Sequence, residues 1–180
     1  MNEVIKAMKE RRSIRKYKPD MVPKETIDQI VEAGLYAASG RGKQSVITVV
    51  VTNKELRDRL AACNAKIAGM PEGTDPFYGA PVVLIVLGDK NWPTSIYDGS
   101  LVMGNMMLAA HTLGLGSCWI HRAKEEFETE EYEKLLADLG VQGEYQGIGH
   151  CIVGYIDGEV PAPAERKADR VCYVDECPNS

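Results

Sequence analysis

The sequence predicts one domain that mixes helices and strands around a sheet buried on both faces. Three observations predict it. At 180 residues and 44% hydrophobic content, the chain can bury one sizeable core and has little room for two. Two runs, residues 46–51 and 82–87, are continuously apolar apart from Thr48, the pattern of strands covered on both faces. Segments of helical period precede, separate and follow them, with no internal repeat and no low-complexity stretch.

Taken in order, residues 2–10 carry Val4, Ile5 and Met8 at helical spacing, so a short amphipathic helix leads into the segment from Arg11 to Tyr17. Pro19 and Pro23 bracket a turn. Pro23 suits the first turn of a helix running to about Ala38, with Ile27, Ile30, Val31 and Leu35 facing inward. A loop through Ser39, Gly40 and Gly42 then precedes the first strand, 46–51. Asn53 can cap a helix marked by Leu56, Leu60 and Cys63, and residues 69–76 read as a loop before the second strand.

Asp98 can cap a long helix whose interior, from Leu101 to Ala110, is apolar on nearly every side. Such a helix is buried, and in a chain this small it can be shared with a second subunit. Its methionines read as packing material. Gly114 and Gly116 turn out of it into a strand ending at Ile120, with His121 and Arg122 next. Residues 130–139 form a helix with acids in its first turn, where the helix dipole favours them. Residues 147–155 form a last strand. From Asp157 charge and proline dominate, predicting an extended arm over 157–180, with an added edge strand at 171–174.

Charge and cysteine usage narrow the function. The formal net charge is -5, so a broad nucleic-acid or anionic-membrane surface is not expected. No apolar run is long enough to span a bilayer and the first twenty residues hold no apolar signal core, so the expected protein is soluble and cytoplasmic. Five cysteines form no CxxC pair, and the three histidines have no metal-ligand spacing, so neither a disulfide framework nor a metal site is expected.

Against that acidic balance, Arg11, Arg12, Arg15, Lys16 and Lys18 place five cations within eight residues. Guanidinium forks match phosphate oxygens, and the Ser13 hydroxyl can donate to another oxygen of the same group. A solvated basic turn or a polyanion-touching arm has the same composition. A second candidate is the small, twice-cationic loop Ala37, Ala38, Ser39, Gly40, Arg41, Gly42, Lys43 and Gln44, whose backbone another molecule can approach; an ordinary helix C-cap and connector reads the same way.

In this order the segments 11–17, 37–44, 77–81, 98–110, 113–120 and Arg166-Lys167 resemble the FMN-dependent nitroreductase family, over nearly the whole chain. The resemblance implies an α+β fold, a three-layer α/β/α sandwich with a mainly antiparallel central sheet. It further implies a homodimer whose subunits exchange C-terminal arms and build FMN sites at their interface. By position, Arg11, Arg12 and Ser13 match phosphate and ribityl contacts, and Arg15 the cation beside the pyrimidine end of the flavin. Ala38, Ser39, Gly40, Lys43 and Gln44 match the loop that reaches FMN from the partner. Trp119, Ile120 and His121 match the segment whose backbone amides face flavin N5. Arg166 and Lys167 match the tail cation that returns to the phosphate. The sequence departs from many relatives at Ala38, Gly42, Ser45 and Val46.

The activity so implied is an NAD(P)H oxidoreductase that passes hydride through FMN to a nitroaromatic or quinone-type small molecule in a ping-pong cycle, with no side chain required as catalytic acid or base. NADH or NADPH is the donor, since no dinucleotide-binding fingerprint is present from which to choose. Three alternatives stand beside it: reductive dehalogenation or flavin breakdown on the same fold, a non-catalytic flavin sensor, and a basic-arm polyanion binder.

Overall fold

The sheet is built on the chain's most apolar segment. A computed structural model describes residues 1–174, and in it β2 (Val82–Asp89) sends Val83, Ile85 and Leu87 to one face and Val82, Leu84 and Val86 to the other. These six side chains are fully buried. β1 (Val46–Val51) pairs with one side of β2, β4 (Tyr145–Gly154) with the other, and β3 (Gly116–Ile120) lies outside β4. The order is β1-β2-β4-β3, antiparallel throughout. One extra residue in β4, Ile148, bulges opposite Val86 and Leu87.

β1 is therefore an edge strand and not the doubly buried strand its composition predicts. Only Val51 is buried, and Val50 is exposed. β-branched residues suit an edge as well as a centre, so composition could not separate the two.

Helices cover both faces. On one, α2 (Lys24–Leu35) and α4 (Ser95–Thr112) contribute Ile27, Ile30, Val102, Met103 and Met106. On the other lie α3 (Lys54–Ile67), the single turn α5 (Ala123–Glu126) and α6 (Glu130–Asp138), with Leu60, Ala61, Tyr132 and Leu136. This is the expected three-layer α+β sandwich. α1 (Glu3–Glu10) is capped by Asn2 and buries none of its residues. Asn53 caps α3 as expected, its side chain accepting from the Leu56 amide.

Three boundaries differ from expectation. α2 ends at Leu35, so residues 37–39 already belong to the loop. α4 starts at Ser95, leaving Asp98 inside its first turn, and it is not buried all round: Leu101 is exposed and Leu108 half-buried. Residues 171–174 form no strand within this chain. The end of the expected arm, 175–180 with Cys177, lies outside the described residues. The other four cysteines are free thiols.

The segment after α1 is stitched to the outer side of β3. The Ile14 amide donates to the Ser117 carbonyl at 3.0 Å, and the Lys18 amide to that of Tyr155 at 2.9 Å. Ile14 and Tyr17 are the buried anchors, and the Tyr17 hydroxyl donates back to the Ile14 carbonyl. With Ile14 and Tyr17 fixed inward, the arginines between and before them face outward.

Candidate functional site

The arginines line one open cleft of about 760 Å³ together with Ser13 and the stretch from Pro161 to Ala164, a volume within the range of small-molecule sites. Arg11, Arg12, Ser13, Arg15 and Arg166 all reach it, as does Lys9, and among the described residues no carboxylate lines it. Lys167 is not part of its wall. Arg12 is held in place, its Nη1 donating at 2.7 Å to the carbonyls of both Lys9 and Arg11. Arg166 donates to the Ala164 carbonyl. Two donors are left over: Arg11 Nη1 and Arg12 Nε are buried and have no partner among the described residues. Buried guanidinium donors without acceptors are costly, and an anionic oxygen is the acceptor that removes that cost. The cleft therefore fits a phosphate-bearing ligand.

The loop 38–44 lies apart from this cleft, and no residue lines both the cleft and the small hollow beneath the loop. Its backbone is unusual: Arg41 and Gln44 have φ of 54° and 51°, left-handed for residues other than glycine, and Gly42 lies between them at 66°. Strain of this kind persists only where surrounding contacts over-determine it. Asp98 supplies them. It is buried, and its carboxylate accepts from the Gly40 amide (3.0 Å), the Ser45 hydroxyl (3.0 Å) and the Thr94 hydroxyl (3.1 Å). The Ser39 hydroxyl oxygen accepts from the Gln44 amide, closing the loop on itself. Ala38, Arg41, Lys43 and Gln44 are exposed, with the Lys43 ammonium 5.6 Å from the centre of the Trp92 ring.

Trp119 and Ile120 end β3 half-buried, and His121 is exposed. Gly149 leaves the space that the Trp119 indole fills. Arg122 then turns the chain with φ 76° into α5. Beneath this turn lie Asn64, Glu126 and His150, three buried polar residues absent from the sequence-based site. Asp98 is absent from it as well, having been expected only as a helix cap. An acid just ahead of an apolar run was the available signal, and it pointed to the wrong partner.

The structural neighbours are close. A Bacteroides fragilis nitroreductase with bound FMN superposes with a TM-score of 0.86 at 29% identity, covering 97% of this chain and 100% of that one. A Desulfitobacterium hafniense nitroreductase with bound FMN gives 0.85 at 29% identity and the same coverage. The sheet order and its two helical layers are thus those of the nitroreductase fold. By sequence, the chain is 30% identical over 139 residues to a Bacillus subtilis protein named FMN reductase [NAD(P)H]. It is 34% identical over 124 residues to a Methanothermobacter thermautotrophicus protein. Each match covers 65% of this chain, but only 53% and 60% of those relatives' own lengths. Residues 8–155 match the Nitroreductase family, and the chain belongs to that family. Among the described residues, no helix is long and apolar enough to cross a membrane and no cluster of His, Cys, Asp or Glu is arranged to hold a metal.

Proposed function

We propose that this protein is an FMN-dependent NAD(P)H oxidoreductase acting on nitroaromatic or quinone-type acceptors. The observation that carries the reading is a cleft that no carboxylate of the described residues lines, with two buried guanidinium donors, Arg11 Nη1 and Arg12 Nε, that have no partner among them. The cofactor such a cleft would hold, FMN, would supply the redox chemistry, carrying hydride from NADH or NADPH to the acceptor.

The chain's own residues bind and orient. Arg11, Arg12, Ser13 and Arg166 hold the phosphate and ribityl end. Arg15 would put a fixed positive charge beside the pyrimidine end, where negative charge develops on reduction, and so favour the reduced state. The backbone of Trp119, Ile120 and His121 faces the reactive edge. Lys167, which does not line the cleft, contributes long-range charge at most. No side chain is assigned as an acid or base.

Ala38, Ser39, Gly40, Lys43 and Gln44 are assigned to the cleft of a second copy, which their separation from this chain's own cleft supports. A homodimer also accounts for Val4, Ile5 and Met8 on α1, each more than half exposed, and for the apolar groove of about 450 Å³ between α1, α2 and α4. The whole chain forms one domain, and the arm from 157 packs on the partner. A cytoplasmic location fits this chemistry.

The test is an anaerobic absorbance titration of the FMN-supplemented protein. NADH or NADPH should bleach the flavin band, and a quinone, a nitroaromatic or free flavin should restore it, with parallel double-reciprocal plots in the steady state. A bound flavin that neither nucleotide reduces would leave a sensor. Arg11→Ala should weaken FMN binding about 10- to 100-fold, the loss of one charge-assisted pairing; unchanged affinity would remove the cleft from the reading.

A further inference from the structure

The most anomalous feature outside the cleft is a pair of ionisable side chains sealed in the core. Glu126, the last residue of α5, and His150, in β4, have no solvent exposure, and Glu126 Oε2 lies 2.6 Å from His150 Nε2. Among the described residues, Glu126 Oε2 and both ring nitrogens of His150 have no hydrogen-bond partner, so the contact is close without being aligned as a hydrogen bond. The setting is otherwise apolar. His150 sits in register between Ile85 of β2 and Ile120 of β3, and the Phe77 ring is 5.2 Å away, centre to centre.

Asn64, from α3, connects this pair to the surface. It is almost fully buried, and its Nδ2 donates both to Glu126 Oε1 at 2.7 Å and to the backbone carbonyl of His121 at 2.8 Å. One amide group therefore ties the pair to the turn that follows β3. A trans peptide points its carbonyl and its N–H to opposite sides. By drawing the His121 carbonyl inward, Asn64 turns the N–H of Arg122 outward. That N–H has no acceptor among the described residues. The arrangement is also strained, since Arg122 is left-handed at φ 76°, and it needs the inward bond to persist.

We propose that Asn64, seated by the Glu126–His150 pair, is a positioning residue that sets the plane of the His121–Arg122 peptide and presents the Arg122 amide as a donor to the ligand. The proposal rests on the flavin reading only in naming FMN as that ligand. Its chemistry predicts an asymmetry among variants. A protonated Glu126 side chain offers an acceptor to Asn64 and a hydroxyl on the oxygen that faces His150. A glutamine offers the same pair, and an alanine offers neither.

The experiment follows the Arg122 amide by NMR, first without flavin and then with FMN added, in the wild type, N64A, E126A, E126Q and the double variant N64A/E126Q. The double variant leaves no unpaired carboxylate and guards against simple unfolding. Expected are a displaced Arg122 amide signal and an FMN affinity about tenfold weaker in N64A, E126A and N64A/E126Q, with both readouts retained in E126Q. A folded N64A/E126Q with the wild-type Arg122 signal and affinity would overturn the proposal, reducing the trio to core packing. If N64A displaces the amide signal but FMN perturbs it in no variant, the positioning role stands and FMN as its ligand falls.

Discussion

Two surface segments, the loop 39–44 and the turn at His121–Arg122, are each held in a left-handed conformation by a carboxylate buried beneath them, but the two carboxylates are furnished differently. Asp98 receives three separate donors, two of them from the loop or its immediate end. Glu126 receives one amide donor from Asn64, and its second oxygen faces His150 with no donor among the described residues. A buried acid given enough donors can be an acceptor only, whereas one given few is neutralised by its surroundings. Burial accordingly pushes the Glu126 carboxyl up, to about 8, with the Asn64 bond opposing it. The same burial pushes His150 down, to about 3. The first segment's anchor takes three donors, whereas the second is tied by one side-chain bond, from Asn64 to the His121 carbonyl, beside the backbone bond from the Glu126 amide to the Arg122 carbonyl.

The largest effect should come from unseating α5. A Cβ on Gly147 would overlap the backbone of Ala123 and Lys124, atoms that cannot rotate aside as a side chain can. Gly147→Ala should therefore displace α5 and pull Glu126 from His150, at a cost of about 3 kcal/mol. A denaturant midpoint within error of the wild type would show that α5 is not fixed by this contact.

Asp98→Ala should follow closely. It orphans the Gly40 amide and the hydroxyls of Ser45 and Thr94, two of them linked to the strained loop, and should cost about 2–3 kcal/mol. Trypsin should then cleave faster at Arg41 or Lys43, both exposed in that loop. Asp98→Asn, which keeps one acceptor, should lose about half as much. An Asp98→Ala protein with unaltered proteolysis would mean that the left-handed residues hold themselves.

How far these two segments were legible from sequence follows from the same contrast. The arginine cluster stood out because five cations in eight residues are local, and Arg11, Arg12, Ser13, Arg15 and Arg166 line one cleft. The sandwich itself was readable through resemblance, since β1 and β2 look alike in composition and only pairing decides which is the edge. Asp98 looked like a cap because an acid ahead of a helix and an acid in its first turn look alike in sequence; the cap position is Thr94, four residues earlier. Asn64, Glu126 and His150 were invisible: they lie on three elements, and no spacing rule joins them. A histidine in an apolar strand looks the same whether packed or paired.

The paired link predicts a stability profile in pH. Glu126 is raised in the folded state, so its contribution is present below its ordinary value and is lost as pH rises to about 8. His150 is lowered, so its contribution is present above its ordinary value and is lost as pH falls to about 3. The two slopes cancel between about 4.5 and 6.5, where the unfolded chain carries one proton on the histidine and the folded chain one on the glutamate. Thermal midpoints should plateau there and fall on both sides. Glu126→Gln should flatten the alkaline limb and turn the plateau into a slope, because the His150 limb then runs uncancelled up to about 6.5; an alkaline limb that survives the substitution would assign it to other groups.

Ser45→Ala should produce the smallest effect, and it measures redundancy directly. It removes one of three donors from Asp98 and leaves the Gly40 amide and the Thr94 hydroxyl in place, so about 1 kcal/mol is expected, or about 2–4 °C in the thermal midpoint. Asn64→Ala also removes one side chain's hydrogen bonding, but it takes the one amide donor from Glu126, releases the His121 carbonyl and leaves a cavity, and should cost about 2–3 kcal/mol. The informative quantity is the difference between the two, measured under one denaturant at pH 6, inside the plateau, where Glu126 keeps its proton. Equal losses would mean that the number of donors does not govern how firmly a buried carboxylate holds its loop. In that case the contrast between the two segments lies in their backbones and not in their anchors.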